Sequence, residues 1–386
     1  MSCQIKLPSS IYAGAGSIEK VKEIAVKENT RRMIIFTDRG IRAAGLLDLV
    51  VETLKEIPGA AWKVLDDVVP EPSYSDVERV IGEAGDEGGD LLIAVGGGSV
   101  MDTAKLCSVL NGAPYGIRDL MEDPSQAKKH MKTVMIPTTC GTGSEATCNA
   151  IVAVPEEGSK KGIVSDSMIP DYVILDNRMI AGLPKAIVAA TGVDALAHAV
   201  ECFTSKKATP LSDTYALASA KLIFHNIREA YRDPDNAEAK KNMQLGAFYG
   251  GVAITGSGTT AVHALAYPLG GKFHIAHGVS NAILFAHVME FNKSACEDRL
   301  AELCDGVYPQ LAQRTKEERA QHVIDEIADI VRATDIPTDL SRYGVGLSDL
   351  EFLVDAGSRQ TRLLVNNMRS LSLSDIRDIY LKVLRD

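Results

Sequence analysis

Five consecutive apolar residues, Leu91-Leu92-Ile93-Ala94-Val95, run straight into Gly96-Gly97-Gly98-Ser99 and then into the helical stretch VMDTAKLCSVL at 100–110. A fully apolar strand that passes through a glycine turn into a helix constrains the fold more than any other feature of the chain. The pattern recurs around it. Residues 32–38 form a short apolar run ending in a polar turn at Asp38, and LLDLVVETLKEI (46–57) has helical periodicity. Trp62 to Val69 reads as a strand, residues 70–88 as a turn and a capped helix, and Thr133-Val134-Met135-Ile136 as a further strand before PTTCGTGSEAT (137–147). Strand, turn, helix and strand in this order imply a parallel sheet.

After about residue 185 the strand signals stop. Amphipathic stretches at 211–233, 237–254, 298–312 and 316–334 dominate instead, so the second half is expected to be helical. With 386 residues the chain exceeds what one core holds, and the expected division is an α/β domain at 1–184 and an all-α domain at 185–386.

The helical half carries a candidate metal site. Asp194 and His198 stand at i and i+4 in TGVDALAHAVE (191–201), so they project from one helix face. His263 lies in a second apolar helical run, and His277 follows fourteen residues later beside Gly278, which is expected to let the backbone turn sharply. One carboxylate with three imidazoles suits Fe, Zn, Ni and similar first-row ions, and is a poor set for Ca or Mg. Taken singly, a histidine on an apolar helix is more often a core or interface residue and an i, i+4 Asp/His pair more often a helix-surface contact; the set of four is the stronger signal.

The glycine turn has a chemical use if it binds phosphate. Without side chains the backbone can approach a pyrophosphate closely, and the helix amides then face its negative charge. It reads equally well as a tight turn, and it is neither G-x-G-x-x-G nor a P-loop. Asp38, at the end of an earlier strand, could accept hydrogen bonds from an adenosine ribose; it could also be an ordinary turn residue.

A formal charge of −10 argues against nucleic-acid binding. The start MSCQIKLPSS lacks the apolar core of a signal peptide, and no uninterrupted apolar run approaches membrane-span length, so the expectation is a cytoplasmic protein with no membrane partner. The seven cysteines are odd in number and lack C-x-x-C pairing, and they read as reduced thiols.

GGGSVMDTAK (96–105), PTTCGTGSEAT (137–147), TGVDALAHAVE (191–201) and the long run from His263 to Asn292 resemble, in order and spacing, the hallmark segments of the iron-containing (group III) alcohol dehydrogenase family. The resemblance implies an N-terminal dinucleotide-binding α/β domain and an all-α C-terminal domain of the dehydroquinate synthase-like kind, with cofactor and metal meeting in a cleft. It implies that Asp194, His198, His263 and His277 hold Fe2+, with Zn2+ or Mn2+ as alternatives. It places NAD(H) on Asp38, Gly96, Gly97, Gly98, Ser99, Asp102, Thr138, Thr139, Thr142 and Lys160. The implied activity is NAD-dependent oxidation of short-chain alcohols and reduction of aldehydes, by a homodimer or larger homo-oligomer.

Two departures from the family pattern bear on chemistry. Many relatives have His where this chain has Tyr267, so proton movement beside His277 falls to Tyr267, His274, water or the cofactor ribose. The C-terminal SRQTRLLVNNMR (358–369) carries Arg359 and Arg362 where relatives are acidic. With Asn149, Ile254 and Thr259 these arginines are the candidate substrate contacts, and they would suit an aldehyde with an anionic tail, such as sulfoacetaldehyde. The alternative is that both lie on a solvated helix face. Rival functions are a polyol dehydrogenase of the glycerol type, a dehydroquinate synthase-like lyase, and a non-catalytic protein on the same scaffold.

Overall fold

The computed structural model describes residues 3–85 and 88–385. The chain divides into two compact units. One takes Lys6–Val154 and Lys161–Leu183; the other takes Met1–Ile5, Pro155–Lys160 and Pro184–Asp386.

The first unit is α/β. Its strands are β1 (Ser10–Ala13), β2 (Arg32–Phe36), β3 (Ala61–Leu65), β4 (Leu91–Gly96), β5 (Lys132–Pro137), β6 (Asn149–Val154), β7 (Ser159–Val164) and β8 (Tyr172–Leu175). Helices α1 (Lys20–Lys27), α2 (Arg39–Ala43), α3 (Leu46–Lys55), α4 (Tyr74–Gly85), α5 (Gly98–Leu110) and α6 (Ile117–Glu122) lie between them. Six strands form one sheet in the order β1-β8-β5-β4-β2-β3, and every pairing in it is parallel. β6 and β7 make a separate two-stranded ribbon.

The run Leu91–Val95 is apolar throughout because β4 lies between β2 and β5 and all six of its residues are buried. Leu91, Ile93 and Val95 join Val21, Ile24, Leu47, Val50 and Leu54 from α1 and α3 in one core cluster. Leu106, Val109, Ile117 and Leu120 join Val77 and the β6–β7 residues Val152 and Ile163 in a second. Each such aliphatic side chain contributes about 1.5–3 kcal/mol on burial. Ser73 and Asp76 cap α4 reciprocally, the Ser73 amide donating to the Asp76 carboxylate at 2.9 Å and the Asp76 amide to Ser73 Oγ at 3.2 Å.

The second unit is helical: α7 (Lys185–Phe203), α8 (Pro210–Arg232), α9 (Ala237–Ser257), α10 (Ala261–Phe273), α11 (His277–Val307), α12 (Lys316–Ala333), α13 (Leu350–Ser358), α14 (Thr361–Leu364) and α15 (Leu373–Leu381). Polar caps set the starts: Thr209 before Pro210 in α8, Asn236 on α9, Thr315 with Glu318 on α12, and Ser372 with Asp375 on α15. The stretch expected as a helix at 298–312 is the end of α11, whose regular geometry is broken at Cys296 (φ −132°, ψ 21°), followed by a short 3₁₀ turn at Pro309–Leu311. Among the described residues, α7 is long and apolar enough to cross a membrane by length and composition; 83% of that window is buried in the structure, as expected of a core helix.

The compact units differ from a division at 184/185. The link between β6 and β7 packs with the helices instead: Gly271 on α10 leaves no room for a side chain against the backbone of Gly158 and Ser159, and Gly158 sits beside Phe352 on α13.

Candidate functional site

Asp194 and His198 lie one turn apart on α7 and are 2% and 5% exposed. His263 is the third residue of α10 and is 3% exposed, and His277 is the first residue of α11. Asp194 Oδ1 stands 3.5 Å from His263 Nε2, 3.6 Å from His277 Nε2 and 4.0 Å from His198 Nε2. Donor atoms of Asp194, His263 and His277 all fall within 4.8 Å of one another, and the His198 ring stacks on that of His263 at 4.5 Å between centroids.

Asn281, on the first turns of α11, tests whether this set suits a cation. Its amide Nδ2 approaches Asp194 Oδ1 at 2.6 Å, His263 Nε2 at 3.2 Å and His277 Nε2 at 3.3 Å. Its Oδ1 is buried with no hydrogen-bond partner among the described residues. Three atoms able to ligate a metal thus converge on one amide nitrogen, while an oxygen beside them goes unsatisfied, as suits a first-row divalent ion.

The electrostatics agree. Burial opposes the Asp194 charge, yet the surrounding His198, His277 and His263 hold its carboxyl well below the usual range. Burial also opposes charge on His263, but the carboxylates of Glu201 and Asp194 lift it to about 9. His277 is pushed down to about 3 by burial, with Lys160 and the other imidazoles adding to the fall.

Sequence reasoning missed Glu201, which is fully buried on α7. Its Oε2 contacts His263 Nδ1, and its Oε1 accepts from the Thr260 amide (3.1 Å), the Thr260 hydroxyl (2.6 Å) and the Val262 amide (2.8 Å). The available signal was its spacing, seven residues after Asp194 and three after His198 on one helix face. Asn281, at i+4 from His277, was missed in the same way.

Gly278 does not have the positive φ that a sharp turn would need; that conformation falls on His274 (φ 55°), the C-cap of α10. His274 is exposed there and stands outside the buried cluster. Tyr267 is buried, with its ring 6.0 Å from that of His277. Lys160 is buried in the helical unit, beside Gly270 of α10, whose lack of a side chain makes room for the Lys160 ammonium. Thr259 is buried and its carbonyl accepts from Asn366 (3.0 Å), while Ile254 is half-buried near the end of α9. Arg359 and Arg362 are both exposed. Arg359 pairs with Asp355 one turn earlier, and Leu363 is the buried residue of α14.

In the α/β unit the candidate cofactor residues gather at the carboxyl ends of β2, β4 and β5. The strand order reverses between β2 and β4: β2 continues to β3 on one side and β4 to β5 on the other, the place where open parallel sheets form a ligand crevice. Thr37 Oγ1 donates to the Val95 carbonyl at 2.8 Å and ties the two strand ends together. Helix α5 starts two residues earlier than expected, so Gly96 ends β4, Gly97 is the N-cap, and Gly98 and Ser99 are already helical. A β-carbon on Gly96 would come 2.6 Å from Val100, and one on Gly98 2.7 Å from Thr142; Thr139 borders Gly97. Thr142 Oγ1 also accepts from the Ser144 amide at 3.2 Å. The Thr138 hydroxyl is buried with no hydrogen-bond partner among the described residues. A backbone cradle kept bare by glycines, with an unsatisfied hydroxyl at the same edge, fits a bound pyrophosphate.

Four other cofactor or substrate candidates in this unit have structural duties. Asp38 caps α2 by accepting from the Ile41 amide at 2.9 Å, and Ser99 Oγ accepts from the Glu71 amide at 3.0 Å. Asp102 is committed inside the unit: it pairs with the fully buried Lys105 at 2.9 Å and accepts from Ser144 Oγ and from the Ile151 amide at 2.9 Å. Asn149 begins β6, and its carbonyl accepts from Lys105.

A parallel α/β unit with a bare glycine edge, and a helical unit with a buried Asp/His cluster, define a metal-dependent dehydrogenase class. A model described as iron-containing alcohol dehydrogenase matches residues 8–177, and one described as Fe-containing alcohol dehydrogenase family, C-terminal, matches 188–384. The chain belongs to the iron-containing alcohol dehydrogenase family and is an oxidoreductase of that type. It is 34% identical over 380 residues to long-chain-alcohol dehydrogenase 1 of Geobacillus thermodenitrificans, covering 98% of this chain and 95% of that protein. It is also 34% identical over 374 residues to sulfoacetaldehyde reductase of Bilophila wadsworthia, covering 95% of each. A solved 1,3-propanediol oxidoreductase superposes with a TM-score of 0.94 at 27% identity, covering 100% of both chains.

Proposed function

We propose that the protein interconverts short-chain alcohols and aldehydes with NAD(H), using Fe2+, or Zn2+ or Mn2+ in its place, held by Asp194, His198, His263 and His277. When bound, the metal supplies Lewis-acid polarisation of the substrate oxygen and the nicotinamide exchanges hydride at the adjacent carbon. The convergence of the buried Asp194 Oδ1 and His263 Nε2 with the partly exposed His277 Nε2, at 3.5 and 3.6 Å from the carboxylate oxygen, carries this reading.

The chain's own groups have definable parts in it. Asp194 supplies the negative charge of the donor set, and the imidazoles supply neutral donors once His263 gives up its proton. Burial of Asp194, His198 and His263 keeps bulk water from the donor atoms. The Gly96–Gly98 backbone and the amino end of α5 receive the cofactor phosphates, with Thr138 Oγ1 as a donor. Tyr267 Oη is the group proposed to hold the exchanging proton, since the ring lies beside His277.

The exposure of Arg359 and Arg362 moves the expected substrate toward neutral short aldehydes. Anaerobic oxidation of NADH by Fe(II)-loaded protein against short aldehydes, neutral and anionic, with His263→Ala as control, tests the proposal. Turnover that disappears in the control supports it. Failure across the panel by a folded, metal-loaded protein would move the assignment to a polyol dehydrogenase or a dehydroquinate synthase-like lyase.

A further inference from the structure

Glu201 is a charge-bearing side chain with no exposure, and no step of the proposed reaction uses it. Its two oxygens have different partners. Oε1 gathers the amides of Thr260 and Val262 and the Thr260 hydroxyl, at the junction where α9 ends and α10 begins. These amides belong to the first turn of α10, where no intrahelical acceptor exists for them. Among the described residues, Oε2 hydrogen-bonds to His263 Nδ1 alone. One side chain on α7, the helix that carries Asp194 and His198, therefore fixes both the start of α10 and the ring of the α10 histidine.

We propose that Glu201 is the positioning residue that makes His263 a metal donor: its carboxylate holds the Nδ1 proton, so the Nε2 lone pair faces Asp194. This rests on the metal reading given above. A carboxylate can only accept, so the proton in that contact belongs to Nδ1, and when the ring gives up its other proton the lone pair appears on Nε2, the nitrogen 3.5 Å from Asp194 Oδ1. Glu201→Gln tests the idea because the amide orientation is forced. Three donors at the Oε1 position require the amide oxygen there, which leaves the NH2 facing Nδ1. Nδ1 must then accept, and the ring proton moves to Nε2, toward the metal position.

The experiment compares full-length wild type and Glu201→Gln by Co(II) binding in competition with a chelator, by the visible spectrum of the Co(II) forms, and by unfolding of the metal-free proteins. The expected result is Co(II) affinity lowered roughly 10–100-fold, with a changed Co(II) spectrum, in a metal-free variant that still unfolds cooperatively. Equal affinity with an unchanged spectrum overturns the inference, as does a loss of stability alone. A wild type that takes up no Co(II) removes the metal reading itself and this inference with it, which separates the two failures. If Glu201→Gln does not fold, the nitrogen shifts of His263 in zinc-loaded wild type decide. Zinc on Nε2 with a protonated Nδ1 supports the assignment, and zinc on Nδ1 overturns it.

Discussion

Gly278 on α11 lies directly against the backbone of Ala190 on α7, so closely that a β-carbon there would be driven into the Ala190 carbonyl. Ala190 is one turn before Asp194, and Gly278 is the residue after His277. This backbone contact therefore sets the separation of the two donors. Gly278→Ala should force α11 away from α7, at an overpacking cost of about 1–3 kcal/mol or more, because the obstacle is main chain. Both the unfolding midpoint and the bound metal per chain should fall; a variant with full metal content would show that the contact does not govern the site.

Proton competition at His263 makes a signed pH prediction. Its folded value of about 9 lies above the ordinary 6.5, so the metal-free fold gains stability from it that is complete below 6.5 and is lost as pH rises through 9. The size is roughly 2–4 kcal/mol. His277, pushed down to about 3, is neutral in the fold throughout that window, and its unfolded form, half protonated at 6.5, adds too small a rise to offset the loss. Metal affinity should move the opposite way, rising from pH 6.5 to 9 as His263 sheds its proton more easily. Unfolding of the metal-free protein and chelator competition, each across that range, should give slopes of opposite sign.

Arg359→Ala and Arg362→Ala should each leave turnover of a neutral aldehyde and of its sulfonate analogue within about twofold of wild type, since both side chains are exposed. A selective loss on the sulfonate would return the anion-binding role to them. Parallel steady-state assays on the two substrates suffice.

In the α/β unit, Gly98→Ala puts a β-carbon 2.7 Å from the branched, rotationally stiff Thr142 side chain. Displacing the start of α5 by this clash should weaken NADH binding about tenfold or more while metal affinity is unchanged. Fluorescence titration of NADH measures the first, and an unaltered dissociation constant would leave the glycine a packing role only.

Much of this was legible because it rests on local periodicity. The apolar run of β4, its glycine exit and the helices bearing Asp194, His198 and His263 follow from spacing alone. What escaped depends on contacts between residues distant in the chain. Glu201 resembles any helix-surface acid until the α9–α10 junction folds onto it, and Gly278 resembles a turn glycine until Ala190 is seen beside it. Arg359 and Arg362 left two readings open because charge alone fits a ligand or a solvated face, and exposure of their side chains is a property of the folded chain. Strand β7 was missed because two lysines and a glycine interrupt SKKGIV and leave no clean alternation.

Pro155–Lys160 belongs to the helical unit although it is encoded inside the α/β half, so the chain passes between the two units four times. During synthesis these six residues are made before α7, and they must wait for α10 and α13 to be made. A fragment beginning at residue 185 would lack Lys160 and the backbone that Gly271 packs against. The helical half is thus not a heritable module that could be cut out and grafted as one continuous stretch; its last pieces to dock are among its first to be translated.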